Sequence, residues 1–163
     1  MNQPIIDSTE FRRVLGHLPT GVVVVTSVVN DEPVGMACNS FTSVSLEPAL
    51  VGFCAANTSS TWPPIREAAR FCINVMAEDH AELTRNFSRK GIDRFAGVDW
   101  APRSSGPGLA GAVAWIDCTL WNEYEAGDHT IVLGQAHSIE AASEVSPLVF
   151  CKGSYGAFAT AAN

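Results

Sequence analysis

The sequence predicts a mainly β protein, a closed antiparallel sheet or barrel with short peripheral helices. Three observations carry this reading. Six or seven apolar or β-branched runs of strand length punctuate the chain. The helical stretches between them are too short and too few for a doubly wound sheet, which needs a long helix after each strand. The two longest runs, about 112–125 and 129–141, are separated only by Ala126-Gly127-Asp128 and form a hairpin.

The elements follow in order. Asp7 to Leu18 reads as an opening helix, with Asp7 and Glu10 as its N-terminal box and Phe11, Val14, Leu15 and Leu18 as one apolar stripe. Pro19-Thr20-Gly21 ends it. GVVVVTSVV (21–29) is a buried strand by its β-branched content, and Asn30-Asp31-Glu32-Pro33 is a turn. Strands are expected at 34–40, 49–55 and 71–76, then the long hairpin, then a short strand at 148–152. Short helices fit 63–69, behind Pro63 and Pro64, and 79–87, with Asp79 and Glu82 as the box. No repeat or linker interrupts the 163 residues, which read as one domain spanning 1–163.

Composition bounds the function. Apolar residues make up 47% and charged residues 17%, which excludes a disordered chain. A chain of this length buries roughly two-thirds of its unfolded surface without disulfides or metal. So few charges cover that surface thinly, and self-association is the expected remedy. The net charge of −7 leaves no basic stripe for nucleic acid. The five scattered cysteines form no Cys-x-x-Cys pair and point to a reducing, cytoplasmic setting. MNQPIIDSTE shows no signal-peptide pattern, and no apolar run is long enough to span a membrane.

Several clusters are candidates for chemistry. Gly106-Pro107-Gly108-Leu109-Ala110-Gly111 fits G-x-G-x-x-G, with Asp128 downstream. A polar loop precedes it and a strand follows, so it reads as a linker and not a dinucleotide fingerprint. Thr58-Ser59-Ser60-Thr61 stands before a proline-marked helix. It is either a plain N-cap or an anion site built from hydroxyls and free helix amides. Asn39-Ser40-Phe41-Thr42-Ser43-Val44-Ser45 is either the polar face of an edge strand or a lining for a planar heterocycle. His129 and His137 share a strand but stand roughly 26 Å apart along it, and no cluster has metal-ligand spacing. Gly153-Ser154-Tyr155-Gly156 is not a nucleophile elbow.

Taken in order, eight stretches resemble the short-chain flavin reductase family, the reductase components of two-component flavin monooxygenases. They are PTGVVVVT (19–26), PVGMACNSFTSVSLEPALV (33–51), TSSTW (58–62), RFCINVM (70–76), DRFAGVDW (93–100), AWIDC (114–118), GDHTIVLG (127–134) and KGSYGAF (152–158), covering about 11–158. The resemblance implies a six-stranded Greek-key split barrel of the FMN-binding type, a homodimer, and NAD(P)H:flavin oxidoreductase activity. Reduced flavin, FMN or FAD, would pass to a separate flavin-dependent monooxygenase, one acting on aromatic or steroid-ring compounds, with NADH or NADPH as hydride donor. It assigns Met36, Ala37, Cys38, Asn39, Ser40, Phe41 and Thr42 to the isoalloxazine and ribityl chain, and Ala55, Ala56 and Asn57 to the same wall. Ser59, Ser60 and Thr61 would hold the flavin phosphate, closed over by Phe87, Ser88 and Arg89, with Arg89 the charge partner. His129 would stand by the nicotinamide and Tyr155 would help hold the pyridine nucleotide. No acid or base is obligatory for hydride transfer, and no metal is expected. The alternatives are a pyridoxamine-phosphate-oxidase-like protein, a deazaflavin-dependent reductase and a flavin-binding sensor or carrier.

Overall fold

The computed structural model describes residues 6–142 and 144–161, so the stretch 1–10, read above for a signal peptide, lies partly outside the described residues. Its centre is an antiparallel sheet of seven strands. In sheet order these are β3 (Glu32–Cys38), β2 (Val23–Val29), β6 (Arg70–Val75), β9 (Ala114–Ala126), β10 (His129–Ala141), β5 (Ala49–Ala56) and β4 (Thr42–Leu46). The first six form the expected split barrel, and β4 adds an edge strand from the polar Ser/Thr cluster. β1 (Thr20–Gly21), β11 (Leu148–Cys151) and β12 (Ser154–Ala157) form a small second sheet, and β7 (Trp100–Pro102) pairs with β8 (Pro107–Leu109).

The valine run explains its own continuity. Val23 and Val25 point into the barrel beside Phe53, Phe71, Ile73 and Val132. Val22 and Val24 point outward, beneath Phe87, Leu109 and Leu148. A strand covered on both faces reads as an unbroken apolar run. Phe53, Trp62 and Phe71 meet edge to face inside the barrel, with centroids 5.3–5.9 Å apart. The hairpin from β2 to β3 turns on Asn30 and Asp31, both at positive φ, which short polar side chains tolerate. Glu32 and Pro33, expected in that turn, already belong to β3.

Three expectations about local structure need correction. The segment 105–109 is no linker: it is buried, and Leu109 N–H donates to Asn74 Oδ1 at 2.7 Å while Thr26 Oγ1 donates to Pro107 O at 2.6 Å. The buried Asn74 and Thr26 demand partners, and this backbone satisfies them. α3 (Ala81–Ser88) has no Asp79 box, since His80 is its N-cap residue and Glu82 pairs with Arg85. In α1 (Ser8–Leu15), Asp7 caps the N–H groups of Thr9 and Glu10, but Glu10 turns away to Arg13. The apolar stripe of that helix is uncovered: Phe11, Val14 and Leu15 are about half exposed and Leu18 more so. No helix among the described residues is long and apolar enough to cross a membrane.

Candidate functional site

A cleft of about 330 Å³ opens where β3, β5, the 57–61 segment, the end of α3 and the tip of the β9–β10 hairpin converge. Its apolar floor is Met36, Ala37, Cys38, Cys54 and Ala56, and Phe87 closes one side. β5 alternates, so Cys54 and Ala56 reach the cleft while Phe53 and Ala55 face the barrel interior. Ala55 is therefore a core residue and not part of the wall. Ser40 spans the open seam between β3 and β5: its Oγ accepts from Cys54 N–H at 2.8 Å and lies 3.0 Å from Cys38 Sγ. Burial pushes the Cys38 thiol pKa up, so this thiol carries no thiolate charge near neutrality.

One rim of the cleft is polar. Thr58, Ser59, Ser60 and Thr61 line it together with Lys90 and Arg94. Thr61 is the N-cap residue of the helix that follows and makes no side-chain cap bond; Ser59 Oγ, two residues earlier, accepts from the N–H groups of Thr61 (3.3 Å) and Trp62 (3.1 Å) instead. α2 (Trp62–Ala68) then begins with two prolines after Trp62, which have no N–H. Its N-terminus therefore offers an anion almost no free amide, contrary to the sequence expectation. The positive charge comes from elsewhere. The half-buried Arg94 donates to Arg89 O (2.7 Å), Gly35 O (2.8 Å) and Thr61 Oγ1 (2.9 Å), all neutral acceptors. Burial lowers its pKa, and no carboxylate among the described residues pairs with it. Arg89, the expected charge partner, points away from the cleft and donates to Asn86 Oδ1.

The opposite rim is the hairpin tip. Gly127, at positive φ, makes the turn that places His129 at the cleft. His129 Nδ1–H donates to Asp128 Oδ1 at 2.8 Å, because a carboxylate can only accept. That bond holds the Asp128 carboxyl below its usual range and leaves the histidine Nε2 free. Asn57 does not line the cleft. It fixes the turn instead, donating to Gly127 O and accepting from Thr130 Oγ1, each at 3.1 Å. Phe41 packs against the core, and Thr42 lies exposed on β4, donating to Ser43 O. His137, on the same strand as His129, is occupied with Thr119 Oγ1 at 2.6 Å.

The cleft continues into a hollow of about 190 Å³ that shares Ala37, Cys38, Asn39 and Ser88 and adds Val22, Phe150 and Tyr155. Tyr155 sits there between the Phe150 ring and the Arg85 guanidinium. The structure thus gathers most of the expected residues into one place. The sequence reading missed Cys54, Lys90 and Arg94. Arg94 lies in the DRFAGVDW stretch, but nothing in the linear sequence aims it at residues 33 positions upstream.

Chemically, the arrangement is an apolar trough with hydroxyls and two cations that pair with no carboxylate among the described residues at one rim and an oriented histidine at the other. This donor set fits a phosphorylated planar heterocycle. Comparison with known proteins agrees. Residues 15–159 match the flavin reductase like domain. The chain is 45% identical to a flavin reductase of Pseudomonas putida, over 94% of this chain and 92% of that protein. It is 43% identical to the reductase subunit of a flavin-dependent monooxygenase of Mycobacterium tuberculosis, over 92% and 82%. Among solved structures, nitrilotriacetate monooxygenase component B from Mycobacterium thermoresistibile superposes with a TM-score of 0.90 at 39% identity, covering 95% of this chain and 90% of that one. An NADH:FAD oxidoreductase of Streptomyces globisporus C-1027, solved with NAD and FAD fragments, also reaches 0.90, at 36% identity, covering 99% and 100%. The chain belongs to the flavin reductase-like family.

Proposed function

We propose that the cleft is the active site of an NAD(P)H:flavin oxidoreductase that supplies reduced flavin to a separate monooxygenase. The observation that carries the site assignment is Arg94, a half-buried cation held, among the described residues, only by neutral oxygens, with Ser60 beside it on the same rim. A guanidinium desolvated without a counter-ion awaits an anion, and a flavin phosphate supplies one. Ser59, Ser60, Thr61, Lys90 and Arg94 hold the phosphate. Met36, Ala37, Cys38, Asn39, Ser40 and Ala56 line the ring, with Phe87 and Ser88 closing the side.

When bound, the flavin accepts a hydride from the nicotinamide. The chain's own work is to bind, orient and shield. The apolar floor excludes water, and the neutral Cys38 thiol leaves no charge to compete with the reaction. His129, fixed by Asp128 and by the Asn57 clasp on the turn, is the residue that would hold the nicotinamide through its Nε2. Tyr155, at the far end of the adjoining hollow, helps seat the pyridine nucleotide. FMN and FAD both fit the phosphate rim, and NADH or NADPH serves as donor.

The relatives that are reductase subunits support a separate monooxygenase as recipient, and we assign that partner to aromatic or steroid-ring hydroxylation. A homodimer accounts for the uncovered α1 stripe and for exposed Leu46, Trp121, Tyr124 and Ile131 on the sheet. Light scattering on dilution, run beside the activity assay, tests it: mass and activity fall together. The function itself is tested by following absorbance at 340 nm with added FMN or FAD. Steady oxidation of NADH or NADPH that depends on flavin is expected. No flavin-dependent loss with either nucleotide overturns the reading.

A further inference from the structure

The five cysteines divide by environment. Cys72 and Cys118 are fully buried in the sheet, and burial pushes both thiols up to about 12. Cys151 stands apart, with its Sγ on Gly16 O at 3.7 Å. Cys38 and Cys54 differ from these, because both line the cleft, from opposite sides of an open seam. No backbone ladder joins β3 to β5, since the sheet runs from β3 through β2, β6, β9 and β10 to reach β5. The Ser40 side chain crosses that gap. Its Oγ lies 3.0 Å from Cys38 Sγ, accepts from Cys54 N–H at 2.8 Å and donates to Cys54 O at 3.3 Å. Cys38 Sγ itself comes to 4.0 Å from Cys54 O. Two free thiols, 16 positions apart in the chain, thus meet around one hydroxyl on the floor of the cleft.

Resting on the flavin reductase reading, we propose that Cys38 and Cys54 form a reversible disulfide that staples the seam and closes the cleft to flavin. The oxidant is hydrogen peroxide. Dioxygen becomes hydrogen peroxide when it takes two electrons and two protons from free reduced flavin, so the oxidant arises where these thiols stand. Burial disfavours the Cys38 thiolate, which makes Cys54 the attacking thiol and Cys38 the resolving one. The Cys54 sulfur breaks the peroxide O–O bond, giving Cys54 sulfenic acid and one water. The Cys38 sulfur then displaces the sulfenic hydroxyl, which leaves with the Cys38 thiol proton as a second water. Two thiols lose two electrons, and the peroxide takes them up. The new bond holds its sulfurs about 2 Å apart, drawing β5 toward β3 and displacing Ser40 Oγ from the seam. Met36, Ala37 and Ala56 share that floor, so the space for the ring shrinks while the phosphate rim at Ser59–Thr61 and Arg94 is left alone. The closed form stops turnover when no monooxygenase draws off the reduced flavin.

The experiment titrates protein, reduced with dithiothreitol and desalted, with hydrogen peroxide and maps its peptides under non-reducing conditions. A linked pair of peptides carrying Cys38 and Cys54 is expected, two hydrogens lighter than the free pair and separated again by dithiothreitol. Flavin fluorescence should show FMN and riboflavin weakened by the same factor, at least tenfold, in the cross-linked protein. Cys38→Ser and Cys54→Ser should each abolish the reversible loss, scored as treated against untreated protein of the same variant. Cys151→Ser should keep it. Peroxide that links no pair, links a different pair, or stops at an oxyacid on one cysteine overturns the assignment. So does a Cys38–Cys54 link that leaves FMN affinity unchanged, or one that weakens FMN and spares riboflavin. Failure of the untreated protein to bind either flavin defeats the functional reading instead, and the peptide map tests the link independently of it.

Discussion

Two arginines divide this molecule into a part built for stability and a part built for a ligand. Arg103 donates to Asp117 Oδ2 at 3.1 Å and to Glu140 Oε2 at 2.9 Å, and its guanidinium lies over the Trp115 ring. Burial works against its charge, but the two carboxylates outweigh that and raise its pKa. Asp117 is in turn buried and accepts from Ser105 N–H at 3.0 Å, which ties the β7–β8 loop to the barrel. Arg94 is held equally firmly, yet only by two carbonyls and a hydroxyl, and burial lowers its pKa with nothing opposing it. A cation satisfied by its own chain is structural. A cation oriented by neutral oxygens keeps its charge for something the chain does not contain.

Substitutions should separate the two roles. Asp117→Ala strips a buried pair of one member and is expected to cost about 3–5 kcal/mol of stability, read by thermal or denaturant unfolding. The flavin affinity of the folded protein should stay within twofold. Arg94→Met should reverse the pattern, weakening FMN by about 1.5–3 kcal/mol, roughly ten- to a hundredfold, with the smaller effect on unfolding. If Arg94→Met unfolds the protein as severely as Asp117→Ala, the distinction between the two arginines fails. Ser60→Ala should cost FMN about 0.5–1.5 kcal/mol in a binding titration, with no change in stability. The smallest effect is expected at the other rim. His129→Ala should raise the KM for NADH by about two- to tenfold through one lost hydrogen bond, leaving flavin affinity nearly intact. Equal loss of both affinities would contradict the division between the rims.

The fold is legible where the pattern is local. The valine run, the long hairpin and the capping Asp7 all lie within a few residues of the features they determine. The segment around Pro107 is not, because its burial depends on Asn74 and Thr26, far upstream in the chain. The site divides in the same way. Resemblance groups the hydroxyls of 59–61 with the wall from Met36 to Ser40, and the structure lines a single cleft with both. Resemblance also includes Ala55, which the two-residue period of β5 turns inward, and Arg89, which α3 points away. Arg94 escapes the sequence because the loop that folds it back onto Gly35 and Thr61 leaves no periodic trace. Asn57 stands in the expected neighbourhood but in a different role, clasping the turn that presents His129.

The proposed phosphate site for the flavin rests on Arg94 and its neighbouring hydroxyls. Comparing FMN with riboflavin, which lacks only the phosphate, tests it most directly. The wild-type protein should bind FMN at least tenfold more tightly than riboflavin, and Arg94→Met should remove most of that advantage while leaving riboflavin binding unchanged. Equal affinity for the two flavins in the wild type, or an FMN advantage that survives Arg94→Met, would contradict the account.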